Sequence, residues 1–175
     1  MKMRKKVCIL LGLLMVLCMA GCGRSGVYPK DGFAEGRFGD AMHTIFFDYT
    51  VNSAYTCMDY CGYTPEEGNM LLVADVTVKN TTRSSVTMYD TDFQAQWGGE
   101  GDDDFEVPIT WYVDPVSDDQ LPGEYDLGVN ETKTGLLVFE VPEGEGDFSI
   151  SYMELFSDGT EGDTFFVYFT VNEQE

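Results

Sequence analysis

Basic residues are scarce in this chain. Its 175 residues hold ten Lys and Arg against 31 Asp and Glu, a formal charge of −21. Four of the ten, Lys2, Arg4, Lys5 and Lys6, precede Cys22, where no acidic residue occurs. Loss of that segment removes four positive charges and takes the formal charge from −21 to −25. Such a surface repels nucleic acid and anionic lipid headgroups and attracts cations and basic partners. At the least it keeps an exported domain soluble. Histidine is rarer still, and His43 is the single one. Any Ser-His-Asp or Cys-His device would have to use it, yet it stands at an ordinary entry position before the first clear strand. No Gly-rich phosphate loop follows a strand and opens a helix. No apolar run reaches the ~20 residues of a membrane span, and no amphipathic helix of useful length can be traced. With nucleophile–base and metal-ligand constellations missing, an enzyme is not expected.

What is present begins with an export signal. Met1–Lys6 is basic, and Val7–Ala20 is almost wholly apolar, with Cys8 and Cys18 inside it. Small residues and a cysteine follow, Met19-Ala20-Gly21-Cys22. The order of basic, apolar and small elements marks a signal peptide. The last four residues resemble the bacterial lipobox, in which the cysteine thiol takes a diacylglyceryl group; Met19 stands where Leu is commoner. Two acyl chains anchor stably where one is marginal. The expectation is a signal peptide over 1–21, lipidation at Cys22, and a lipid anchor on the extracytoplasmic face of the cell membrane. Ordinary cleavage with Cys22 free, or an uncleaved anchor, are the alternatives. Residues 22–42 are rich in Gly and charge without periodicity, and read as a flexible tether. Residues 43–175 read as one domain.

From His43 onward apolar side chains recur at every second position. Ile45, Phe47, Tyr49 and Val51 form one series, and Met70, Leu72, Ala74, Val76 and Val78 another. Phe93, Ala95 and Trp97 follow, then Leu137, Phe139 and Val141, then Phe148, Ile150 and Tyr152, then Phe165, Val167, Phe169 and Val171. Period two marks strands with one buried face. Ile109–Val113 is a weaker candidate strand. Turn formers separate the runs at 62–68, 80–85, 98–104, 142–146 and 157–162. The pattern predicts an all-β sandwich of about seven antiparallel strands.

Three stretches carry a family resemblance. Gly68-Asn69-Met70-Leu71-Leu72-Val73-Ala74-Asp75-Val76-Thr77-Val78-Lys79-Asn80-Thr81 is similar to the central-strand motif of the DUF4352 family. Asp92-Phe93-Gln94-Ala95 resembles its next strand, and Gly135-Leu136-Leu137-Val138-Phe139-Glu140-Val141-Pro142 its G-x-L-V-F-E-V-P strand. The resemblance implies an immunoglobulin-like sandwich of the telokin or MPT63 type on lipid-anchored proteins of Gram-positive bacteria. It carries no catalytic residues. One departure is the family's P-G-E turn. Val129-Asn130-Glu131-Thr132 stands in its place, and Leu121-Pro122-Gly123-Glu124 comes earlier, so the loop 114–130 reads as an elaboration.

Four constellations could carry chemistry. Cys57 and Cys61, in CMDYC, suit a local disulfide in an exported domain; they lack the further ligands of a metal site and the spacing of a redox pair. Glu100, Asp102, Asp103, Asp104 and Glu106 are the densest carboxylates, a candidate calcium loop or a hydrated hairpin tip. Asp114, Asp118 and Asp119 are a weaker group. Trp97, Trp111, Tyr112, Tyr125 and Phe46 could form a binding patch if they stay at the surface, or fill the core if they do not. The expected role is a non-enzymatic surface module that binds a protein or cell-wall partner. A calcium-binding module through the acidic loop is the alternative. No nucleic acid and no obligatory cofactor are expected.

Overall fold

The structure is a computed structural model that describes residues 26–98 and 104–171. Twelve strands occur in it, joined by turns and two single-turn 3-10 segments. In chain order they are β1 (Gly26–Val27), β2 (Phe33–Gly36), β3 (Ala41–His43), β4 (Phe47–Cys57), β5 (Asn69–Asn80) and β6 (Val86–Tyr89). Then come β7 (Gln94–Gln96), β8 (Phe105–Glu106), β9 (Glu124–Leu127), β10 (Thr132–Pro142), β11 (Asp147–Leu155) and β12 (Glu161–Thr170). The first sheet runs β1-β3-β4-β5-β10 and the second β2-β12-β11-β7-β8, while β6 and β9 pair separately. The all-β sandwich is the one the pattern predicts. Its strand number is higher than the expected seven, and the pairs β1–β3 and β2–β12 are parallel rather than antiparallel.

The long strands follow the period-two series. Phe47, Tyr49 and Val51 point inward from β4, and Leu72, Ala74, Val76 and Val78 from β5, all buried. Leu137, Phe139 and Val141 of β10 face Phe148, Ile150, Phe165 and Val167 of the second sheet within the same core. Aromatic rings fill its centre. Phe47 and Tyr152 lie with centroids 4.7 Å apart, and Tyr49 meets Phe93 edge-on at 5.3 Å, the offset arrangement that ring quadrupoles favour. The motif residues have plain structural work. Gly68 takes a positive φ of 91° to turn the chain into β5, a conformation that suits glycine. Asn80 is fully buried where β5 ends. Its Nδ2 donates to the carbonyls of Ser84 (2.8 Å), Leu127 (3.0 Å) and Gly128 (3.1 Å), and its Oδ1 accepts from Thr82 N–H (2.8 Å). It ties the 81–85 turn to the 127–131 turn.

Two expectations need correction. Residues 26–42, read as tether, carry β1, β2 and the start of β3 and pair into both sheets. Strands of two to four residues are too short to display a period, so the sequence pattern does not show them. Residues 109–113, read as a strand, hold a 3-10 turn over Ile109–Trp111. That turn lowers Ile109 onto Leu71, Val73 and Val138, a second apolar cluster on the outer side of the first sheet. The elaborated loop continues the cover. Leu121 N–H donates to Leu136 O at 3.0 Å and Leu136 N–H to Asp119 O at 2.8 Å, and the β9 strand lies in its second half.

Candidate functional site

A strand directs alternate side chains to opposite faces, so the inward series of the second sheet leaves an outward series. On β11 it is Ser149, Ser151, Met153 and Leu155; on β12, Thr164, Phe166, Tyr168 and Thr170. Register aligns them into rows. Ser149 sits between Gln96 and Tyr168, and Ser151 between Gln94 and Phe166. Phe105 of β8 extends the first row beside Gln96, and Glu35 of β2 ends the second beside Phe166. The two serines are short and buried beneath their neighbours, so they form a floor between taller side chains.

The aromatic side of this groove is ordered. Phe166 and Tyr168 stack with centroids 5.7 Å apart and planes 15° from parallel. The Arg37 guanidinium lies 5.3 Å from the Tyr168 ring centre, a cation–π contact. Partial burial pushes the Tyr168 phenol up, the Glu35 carboxylate adds to the rise, and Arg37 opposes it. Met153 is 41% and Phe105 43% exposed. Carboxylates stand only at the margin, where Asp104, Glu145, Asp147 and Glu161 line the groove's ends. Apart from the Arg37 guanidinium over Tyr168, the centre holds apolar and uncharged polar groups, the composition that distinguishes the core of a binding interface from ordinary surface.

Of the residues singled out from sequence, Trp97 and Asp104 line the groove, and the others lie elsewhere or outside the described residues. Cys22, Glu100, Asp102 and Asp103 fall outside them. Asp104 is half-buried at the groove's rim, and its carbonyl accepts from Trp97 N–H at 3.1 Å. Trp97 itself packs half-buried on the core. Trp111 and Tyr112 are 60% and 64% exposed on the 3-10 turn, and Tyr112 donates to Glu106 Oε1 at 3.0 Å. Tyr125 is on β9, half-buried against the main core under the Lys133 ammonium at 5.3 Å. Burial pushes its phenol up. The structure therefore does not gather Trp111, Tyr112 and Tyr125 into one patch, because the first two ride on the cover of the first sheet and the third on the β6–β9 pair.

Cys57 and Cys61 stand as free thiols, not as the disulfide expected. Cys57 is half-buried at the end of β4, where burial pushes its thiol up. Cys61 is exposed at the tip of the Tyr60–Tyr63 turn with a φ of 51°. His43 is engaged structurally. Its Nδ1 is 2.8 Å from Asp48 Oδ1, and its ring stacks on Tyr28 at 4.4 Å.

Sequence reasoning misses the outward face because its residues pass for the polar complement of an inward series. A signal exists all the same. Phe165-Phe166-Val167-Tyr168-Phe169 is apolar at both alternations, which is not the mark of a strand with one solvated side. Leu71, Val73 and Val138 give the same signal for the first sheet, and there the 3-10 turn answers it.

Comparison with known proteins agrees on the fold. The yjhA protein of Bacillus subtilis superposes with a TM-score of 0.56 at 17% identity, covering 78% of this chain and 99% of that one. A functionally unknown protein from Listeria monocytogenes EGD-e gives 0.54 at 12%, covering 75% and 82%. A predicted lipoprotein (ycdA) of Bacillus subtilis gives 0.55 at 15% and covers 74% of this chain, which spans 38% of that protein's length. No curated protein matches the sequence. The model of a domain of unknown function matches residues 37–161, and the chain accordingly belongs to the DUF4352 family.

Proposed function

We propose that this protein is a lipid-anchored, non-enzymatic module on the extracytoplasmic face of the cell membrane, and that it binds a protein partner through the outer face of its second sheet. One observation carries the reading. In a chain with 31 acidic residues, the outward positions of β7, β8, β11 and β12 inside the acidic margin comprise Gln, Ser, Thr, Met, Leu, Phe and Tyr. Solvated strand faces favour charge, and interface centres exclude it. The acidic rim then suits a partner that is basic around an apolar contact. The signal-like start, the lipobox-like Cys22 and the likeness to a predicted lipoprotein support the anchor.

Site-specific photo-crosslinking in intact cells tests the binding face. A crosslinker at Met153 should yield a discrete protein adduct that Tyr168→Lys abolishes, while one at Thr134, on the opposite outer face, should not. Adducts to glycan strands instead of protein would replace the protein with a wall polymer. Equal adducts at both positions, or an adduct indifferent to Tyr168→Lys in a folded variant, would remove the face from consideration. Changing Cys22 to Ala should release the protein into the medium, and continued retention would sink the lipid anchor.

A further inference from the structure

Residues 26–42, most of the segment expected to hold the domain away from the membrane, are folded into the domain itself. Cys22 and Gly26 are four residues apart in sequence, and a chain advances at most ~3.6 Å per residue. A lipid on Cys22 is therefore held within about 14 Å of Gly26. A twenty-residue coil would average ~25 Å and permit every orientation. Four links do not.

The surface around that attachment is distinctive. β1 and β3 lie at one edge of the first sheet, and β2 lies at an edge of the second. Residues 26–43 thus close one side of the sandwich as a narrow wall, since packed sheets stand ~10 Å apart. Three large aromatics are exposed on this stretch: Tyr28 at 70%, Phe33 at 50% and Phe38 at 38%. Lys30 is exposed among them; Phe33, in register with Thr164, and Arg37, over the Tyr168 ring, stand where the wall meets the outer face of the second sheet. The charge is distributed unevenly. Residues 26–43 hold two basic residues, Lys30 and Arg37, against three acidic ones, Asp31, Glu35 and Asp40, a formal −1, whereas residues 44–175 hold three basic residues against 28 acidic ones, a formal −25. Nearly all the net acidity lies beyond the wall.

We infer that this wall is a membrane-docking surface: the domain lies side-on against the bilayer, with Tyr28 and Phe38 in the headgroup layer and Lys30 against lipid phosphates. The inference rests on the anchor at Cys22 proposed above. Aromatic rings partition to the membrane interface, and long basic side chains lay their stems on apolar surface while the charge meets the headgroups. An anionic bilayer repels the rest of the domain far more strongly, which leaves the nearly neutral wall as the side turned toward it. The outer face of the second sheet then stands upright from the membrane and open to a partner.

The test uses the full chain, purified from membranes and reconstituted in vesicles of phosphatidylcholine and phosphatidylglycerol with bromine near the headgroup end of the acyl chains. The parent emits from Trp97 and Trp111. A Tyr28→Trp variant should add emission that is blue-shifted and quenched by the brominated lipid, while parental emission is not. Amide exchange of 26–43 should slow on vesicles relative to the soluble Cys22→Ser chain, which covers the case of a poorly folded variant. Flotation with the vesicles, but with the added emission unquenched and exchange unchanged, would overturn the docking and leave the anchor standing. Failure to float would overturn both. Protection of the wall in cells but not on vesicles would assign it to a protein and overturn the membrane as its occupant.

Discussion

Tyr49 presents an unusual arrangement for a core side chain. It is 1% exposed, and its hydroxyl has no hydrogen-bond partner among the described residues. Burial, with the Tyr152 phenol beside it, pushes the Tyr49 phenol far up, so it stays neutral. A buried hydroxyl without a partner costs about 1–3 kcal/mol. Tyr49→Phe should therefore raise stability by about 1 kcal/mol in chemical denaturation, and a loss of stability would mean that the hydroxyl has a partner after all. Asn80 is the opposite case. Every polar atom of its side chain is used, on carbonyls and an N–H group of two turns. Asn80→Ala should cost about 2–3 kcal/mol, because several buried groups lose their partner at once. Asp92 adds a pH effect. Burial pushes its carboxyl up, Asp90 adds to this, and the Tyr89 N–H that donates to it at 2.7 Å opposes it. A carboxyl whose pKa is higher in the folded state binds its proton more tightly there. Its contribution should rise as pH falls from the folded value toward the ordinary 3.8. Asp92→Asn should flatten that part of the stability–pH curve, and an unchanged curve would assign the slope to other groups.

At the scale of elements, Gly135 is a joint: it is the glycine, among the described residues, whose added Cβ would come nearest to the backbone of another segment. A Cβ there would lie 2.8 Å from Leu121 Cδ2 and 3.0 Å from the Asp119 carbonyl oxygen. The glycine lets the 119–121 segment run directly alongside β10, and with it the cover of the first sheet. Gly135→Ala should lift that segment at a cost of about 1–3 kcal/mol, seen as faster amide exchange at Leu121 and Leu136 while Phe139 stays protected. Uniform loss of protection would mean that the cover and the sandwich unfold as one unit. Such joints also explain what the sequence reveals. β4, β5, β10, β11 and β12 are long, and their inward residues recur at period two, so they are legible. β1, β2 and β3 are too short for a period, and two of their pairings are parallel. Ile109–Trp111 reads as a strand because it is apolar, but its apolarity serves a single turn laid over a sheet. The candidate face is legible only as a surplus: Phe166 and Tyr168 are aromatic where an outward residue should be polar. Cross-strand register, which the sequence does not contain, sets them in rows with Ser149 and Ser151.

For the whole molecule the governing quantity is charge. Among the described residues no Lys or Arg pairs with a carboxylate, and His43–Asp48 is the one His–carboxylate contact, so the carboxylates are not balanced by cations. Turns hold several of them through backbone N–H donors, such as Arg37 N–H on Asp40, Gly62 N–H on Asp59 and Gly128 N–H on Glu131. These contacts settle local geometry and leave the mutual repulsion in place. A domain of this size has a radius of gyration of ~15 Å, whereas the screening length is ~30 Å at 0.01 M salt and ~8 Å at 0.15 M. In dilute buffer each carboxylate therefore senses the whole domain, and at the higher salt mainly its neighbours. Compact acidic chains are destabilised by this self-repulsion. Raising sodium chloride from about 0.01 to about 0.15 M should raise the melting temperature by several degrees, about 1 kcal/mol in stability at ~4 °C per kcal/mol. Matched ionic strengths of sodium and potassium should act alike, because screening depends on charge and concentration alone. If micromolar calcium produced the rise while sodium at far higher strength did not, screening would be the wrong account. The acidic stretch from Glu100 to Asp104 would then be a specific cation site, and the domain's stability would be a matter of ligation.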